Sequence, residues 1–125
     1  MLEKYEFTNN IDENGNPSGG EVRGTGLSID WQNGPLGRGE ERKDPNGAFV
    51  ETVIDAAKQR IEFYQNASDG KFSCEENAFA IAFLQKALAS LNNRTLKREA
   101  EGVEGTHTPS PAVPATAENG TPPAA

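Results

Sequence analysis

Apolar and polar residues change rhythm along this chain. Near the start the period is two. Tyr5 and Phe7 alternate with Glu6 and Thr8, and Leu27, Ile29 and Trp31 alternate with Ser28 and Asp30. Strict alternation puts the apolar set on one face of a half-buried strand. Between the two runs lies Asn9–Gly20, whose Asn, Gly, Asp and Pro read as a long turn. Asn33-Gly34-Pro35 closes the second strand. Residues 1–36 are therefore expected to form a β-hairpin with its turns. A hairpin alone is marginal in water, so it needs something to lie on.

Residues 37–45 carry charge without periodicity and read as a linker. The period then becomes 3.6. Val50, Val53, Ile54, Ala57, Ile61 and Tyr64 share one stripe, which predicts a helix over about Asn46–Gln65. Asn66–Lys71 is the turn. A second helix is expected from a capping box at Ser73–Glu76 to Glu101, where Gly102 stops it. At 1.5 Å per residue it is roughly 40 Å long. The fold class is α+β: an N-terminal β-hairpin, then a long antiparallel α-helical hairpin over 46–105. Residues 106–125, almost all Thr, Pro, Ala, Ser, Gly, Val and Asn, are expected to be a disordered tail.

The second helix carries more apolar surface than one partner helix covers. Ile81, Leu84, Leu88 and Leu91 make one stripe, and Phe79, Ala80, Phe83 and Ala87 an adjoining one. The surplus has two readings. Either the hairpin strands fold over it, or copies of the chain associate through it.

Composition narrows the function. The net charge of −7 disfavours binding to DNA or RNA polymers and to anionic membranes. No apolar run is long enough to span a bilayer. The single cysteine, Cys74, excludes an intrachain disulfide and suits a cytosolic protein.

Enzyme chemistry finds little footing. The lone histidine, His107, sits at the mouth of the tail, and no catalytic triad assembles around it. Cys74 has no evident base. Metal-ligand spacings are absent, and Glu75 with Glu76 is too small a set for a Mg²⁺ site. No catalytic residue, metal ligand or cofactor is expected.

Binding chemistry has more. Arg94 and Arg98 are spaced i, i+4 and project from one helix face, continuous with the Phe83 and Ala87 stripe. They either complement the negative helix end or, in an oligomer, converge on an anion. Arg38, Arg42 and Lys43 are either a solvated loop or a phosphate clamp. Asn77 lies on the apolar side of the second helix and either bonds facing backbone or contacts a ribose or base. Tyr64 is either core or a stacking platform for a purine. Tyr64 and Asn77 flank the same turn.

The run Phe63-Tyr64-Gln65, then Cys74-Glu75-Glu76-Asn77-Ala78, Asn93-Arg94-Thr95, Arg98 and Gly102-Val103-Glu104-Gly105-Thr106-His107 resembles the hairpin domain of bacteriophage anti-Thoeris and anti-CBASS sponges, with the anti-Thoeris branch nearer. The resemblance spans about residues 46–107. It implies a non-enzymatic homo-oligomer, often a hexamer in the family, acting in the host cytoplasm. Such proteins sequester immune messengers: glycocyclic ADP-ribose isomers and, in a separate pocket of some members, cyclic di- or trinucleotides. By motif position the resemblance assigns Tyr64 and Asn77 to the first pocket and Arg94 and Arg98 to the second. Tyr64 stands where the family pattern has Phe, keeping the stacking face and adding a hydroxyl. The competing expectation is a phage structural or protein-interaction module that uses the same apolar helical face. A third, a small nucleotide hydrolase, predicts a released product.

Overall fold

The computed structural model describes residues 1–110. Its order is β1 (Tyr5–Ile11), β2 (Pro17–Gly24), β3 (Leu27–Asp30), a short 3-10 turn at Gly39–Glu41, α1 (Val50–Gly70) and α2 (Glu75–Ala100). The α+β class stands, but the N-terminal unit is a three-stranded antiparallel sheet in the order β1-β2-β3. The expected long turn over Asn9–Gly20 is mostly strand. Only Asp12–Asn16 turns, where the Asp12 carboxylate accepts from the backbone N–H of Asn14 and Asn16, each at 2.9 Å. Gly15 stays in that turn at positive φ, but Gly19 and Gly20 lie in β2 and serve strand pairing. At Gly20 a Cβ would collide with the Thr8 carbonyl, so only glycine lets β1 and β2 close here.

Register explains the sheet's two faces. Phe7 pairs with Val22 and Val22 with Ile29; Tyr5 pairs with Gly24 and Gly24 with Leu27. Residues directly opposite share a face, so Tyr5, Phe7, Val22, Leu27 and Ile29 form one apolar surface. On the other face Arg23 bonds Asp30 at 2.6 Å and Glu21 at 3.1 Å. The apolar surface was expected to need a support, yet no strand packs on either helix. Val22 is the one buried hydrophobic residue among those described, and Phe7 remains 64% exposed.

The helices pack on each other. α1 begins at Val50 rather than Asn46 because Asn46 is used elsewhere. Its side chain accepts from the Asn33 N–H and donates to the Asn33 carbonyl. α1 loses helical geometry at Ala67–Asp69, with Ser68 and Asp69 at positive φ, which matches the expected turn. Cys74, not Ser73, caps α2: its Sγ accepts from the Asn77 N–H at 3.4 Å. The cap is one residue later than the capping box predicted, since the Gln65 amide clasps the Cys74 backbone on both sides, donating to its carbonyl and accepting from its N–H. Ile81, Leu84, Leu88 and Leu91 are half-buried under α1, whereas Phe79 and Phe83 stay open. One partner helix covers one stripe.

The linker over 37–45 is held in place. Gly37 N–H donates to the Gly105 carbonyl at 2.9 Å, and Lys43 N–H to the Leu36 carbonyl at 2.7 Å. A parallel bridge between Trp31 and Ala48 joins the end of the sheet to the start of α1, where Gly47 leaves no room for a Cβ. Of the expected tail, residues 106–110 are described and lie against α2; residues 111–125 lie outside the described residues. No helix among the described residues is long and apolar enough to cross a membrane.

Candidate functional site

The four sequence-predicted residues fall at two ends of the helical hairpin. Asn77 and Arg94 are about 25 Å apart along α2 at 1.5 Å per residue. Tyr64 and Asn77 are at the turn end, on either side of the Gln65–Cys74 clasp. Arg94 and Arg98 are at the far end, beside the loop over 32–36.

At the turn end Tyr64 is 43% exposed, so it is a surface aromatic and not core. Its ring lies 5.9 Å from that of Phe63. Arg60, one turn earlier, places its guanidinium 4.8 Å from both ring centroids and donates from Nε to the Tyr64 hydroxyl at 3.3 Å. Cation–π attraction thus fixes the aromatic pair. Asn77 is half-buried on the first turn of α2, with its backbone N–H spent on the cap. Phe63, Phe72, Phe79 and Phe83, each between 48% and 65% exposed, make this end of the hairpin aromatic.

The far end is polar and concave. A cleft of about 400 Å³ lies between the loop at Gln32–Pro35, the strand turn at Asn16 and Pro17, and the segment Thr106–Ser110, with Arg94 and Arg98 in its lining. A neighbouring cleft of about 360 Å³ shares both arginines and adds Phe49, Arg42 and Glu104. Arg94 makes no hydrogen bond or salt bridge among the described residues. Arg98 differs: its Nη1 donates to the Thr108 carbonyl (3.0 Å) and Ser110 Oγ (3.1 Å), and its Nη2 to the carbonyls of Val103 (3.0 Å) and Thr106 (3.1 Å).

Sequence reasoning kept Arg42 open as a phosphate clamp. Here it grips Glu104 in a bidentate pair, at 2.7 and 3.1 Å. The hydrogen bond from Arg42 holds the Glu104 carboxyl below the usual carboxylate range; partial burial opposes this, and the fields of Arg42, Arg38 and Arg98 reinforce it. Gly105, at positive φ, sits where a Cβ would strike the Gly37 carbonyl. This knot joins residues more than sixty positions apart, so no local spacing signals it. Only the Gly-Val-Glu-Gly motif marks one side of it.

No family model matches the chain. Over 80 residues, 64% of this chain, it is 40% identical to Thoeris anti-defense 1 of Bacillus phage SBSphiJ7. This similarity supports membership of the anti-Thoeris family. The chain spans about half the length of that curated relative, 51% of which is matched. The relative is named for an anti-defence role and not for an enzymatic activity. Among the described residues no group of His, Cys, Asp or Glu gathers into a metal site. What the far end offers is therefore charge and donors: the Arg94 guanidinium, without a partner among the described residues, lines a concave site in a chain of net charge −7.

Proposed function

We propose that this protein is a non-enzymatic sponge that binds cyclic nucleotide messengers of host immunity and blocks Thoeris signalling in the host cytoplasm. The observation that carries the reading is Arg94, without a partner among the described residues, in a polar cleft on a chain similar to an anti-Thoeris protein. Guanidinium suits phosphate because its donors form a planar fork. The other end suits a different ligand. Tyr64, steadied by Arg60, presents a face on which a purine stacks, and Asn77 provides amide donors and acceptors for a ribose or base. Glycocyclic ADP-ribose is assigned to that end and cyclic di- or trinucleotides to the Arg94 cleft.

Assembly belongs to this reading. The sheet's apolar face and the Phe79 and Phe83 stripe lack cover among the described residues. A homo-oligomer, with a hexamer as the family precedent, buries them and encloses the ligands. Sequestration works by mass action, so starving a receptor requires nanomolar affinity, about −12 kcal/mol.

The test is a thermal-shift screen of the purified protein against glycocyclic ADP-ribose isomers, cyclic dinucleotides and cyclic trinucleotides. A ligand at 100 times its Kd adds about 2.7 kcal/mol of stability, several degrees of melting temperature. The ligand is expected back intact after heat denaturation; a hydrolysed product would mean an enzyme. The exposed aromatic face also suits a protein partner, and no shift with any nucleotide would favour that interaction module.

A further inference from the structure

We infer that Arg98 is a positioning residue: it staples Val103–Ser110 into the wall of the Arg94 cleft, and the phosphate contact there belongs to Arg94. The inference rests on the nucleotide reading of this cleft and divides the labour within it. A guanidinium has five N–H donors, four of them on its two terminal nitrogens. In Arg98 those nitrogens serve four acceptors: the carbonyls of Val103, Thr106 and Thr108, and Ser110 Oγ. A bidentate phosphate contact takes one of these four N–H groups when made side-on with Nε, or two when made end-on, and so strips the segment of at least one partner. Arg94, one turn earlier, lines the same cleft with its donors free among the described residues.

The rest of the segment's attachment agrees. The Arg98 carbonyl accepts from the N–H of both Val103 and Glu104, so this residue holds the chain through backbone and side chain alike. Arg42 and Gly37 fasten only Glu104 and Gly105. Beyond Gly105, the carbonyls of Thr106 and Thr108, which flank His107 in the cleft lining, are held by Arg98. A wall ordered before the ligand arrives spares the complex that ordering cost.

Charge and positioning separate in Arg98→Lys. Lysine keeps the positive charge, but its three donors radiate from one atom and cannot reach four acceptors spread over eight residues. The full-length protein is compared with Arg98→Lys and Arg94→Gln by amide hydrogen exchange without ligand, and by calorimetric binding of cyclic tri-AMP at a temperature where circular dichroism shows all three folded. Arg98→Lys is expected to speed exchange at Thr106 and Thr108 and to weaken cyclic tri-AMP binding by about ten-fold. Arg94→Gln is expected to leave exchange unchanged and lose more affinity than Arg98→Lys. A purely structural Arg98 would alter exchange but not affinity, and that result overturns the inference; so does wild-type exchange in Arg98→Lys. Wild-type protein that takes up no cyclic tri-AMP overturns the nucleotide reading of the cleft together with the inference. Undiminished binding by Arg98→Lys overturns the inference alone.

Discussion

The two ends of the helical hairpin are built by different forces. At the turn end the surface around the neutral Gln65–Cys74 clasp is aromatic: Arg60 lies over Phe63 and Tyr64, while Phe72, Phe79 and Phe83 stand open to solvent. At the far end the ordering is polar: Arg42 with Glu104, Arg98 with four acceptors, and Gly37 against Gly105. Stacking and apolar contact are tolerant of lateral shifts. Hydrogen bonds of about 3 Å are not. The aromatic surface of the turn end therefore has few directional bonds of its own, whereas the far end is defined by hydrogen bonds within one chain.

The sharpest way to break this contrast is to charge the open aromatic stripe. Phe79→Asp with Phe83→Asp should reduce the proposed homo-oligomer to monomers in analytical ultracentrifugation. Each Phe buried at an interface contributes roughly 1.5–3 kcal/mol per copy, and a buried carboxylate reverses that gain. The far-end knot should persist, because its bonds lie within the chain; unchanged amide protection at Val103 and Glu104 would show it. An unaltered sedimentation coefficient would place the stripe outside any interface. A smaller change comes from Tyr64→Ala, which should cost about 1–3 kcal/mol of glycocyclic ADP-ribose binding through lost stacking. With the two ends about 25 Å apart along α2, cyclic tri-AMP binding should be unchanged, since distant sites act additively. Tyr64→Phe should retain most of the affinity. Equal loss of both ligands in Tyr64→Ala would mean that the ends are coupled.

The helices and their apolar stripe were legible in the chain, since 3.6-residue periodicity is a local signal. Surplus apolar surface on α2 was legible too, and the open Phe79 and Phe83 bear it out. The middle strand was not legible. In Pro17–Gly24 only Val22 is a large aliphatic, and the glycines that allow close strand approach carry the same letters as a turn. The cap moved by one residue because Gln65, nine positions away, sets the backbone at Cys74. Arg94 and Arg98 looked equivalent by spacing. Their difference arises from carbonyls in Val103–Thr108, and a backbone acceptor leaves no trace in residue type. The pairing of Arg42 with Glu104 is likewise a product of tertiary closure.

The smallest effect tests whether charge holds the far end. Glu104 is held below its ordinary value, first by the hydrogen bond from Arg42. A carboxylate whose folded value lies below its unfolded one stabilises the fold fully above the unfolded value, about 4.3 for glutamate. That contribution fades as pH falls through the lowered folded value, where both states are protonated. Thermal melts of wild type and Glu104→Gln from pH 7 to pH 2 should thus show a gap that is widest at neutral pH and closes in acid. Glutamine removes the charge and one of the two acceptors that Arg42 uses, so the part of the gap that closes in acid reports the charge-assisted pair. The pair is partly exposed, at 42% for Arg42 and 25% for Glu104, so solvent screening keeps the gap to a few degrees at most, and added salt should shrink it. A gap that persists unchanged at pH 2 would assign the knot to neutral hydrogen bonding and to the close Gly37–Gly105 backbone contact. The far end would then be held by neutral contacts, as the Gln65–Cys74 clasp holds the turn end, and the contrast between the two would rest on Arg98 alone.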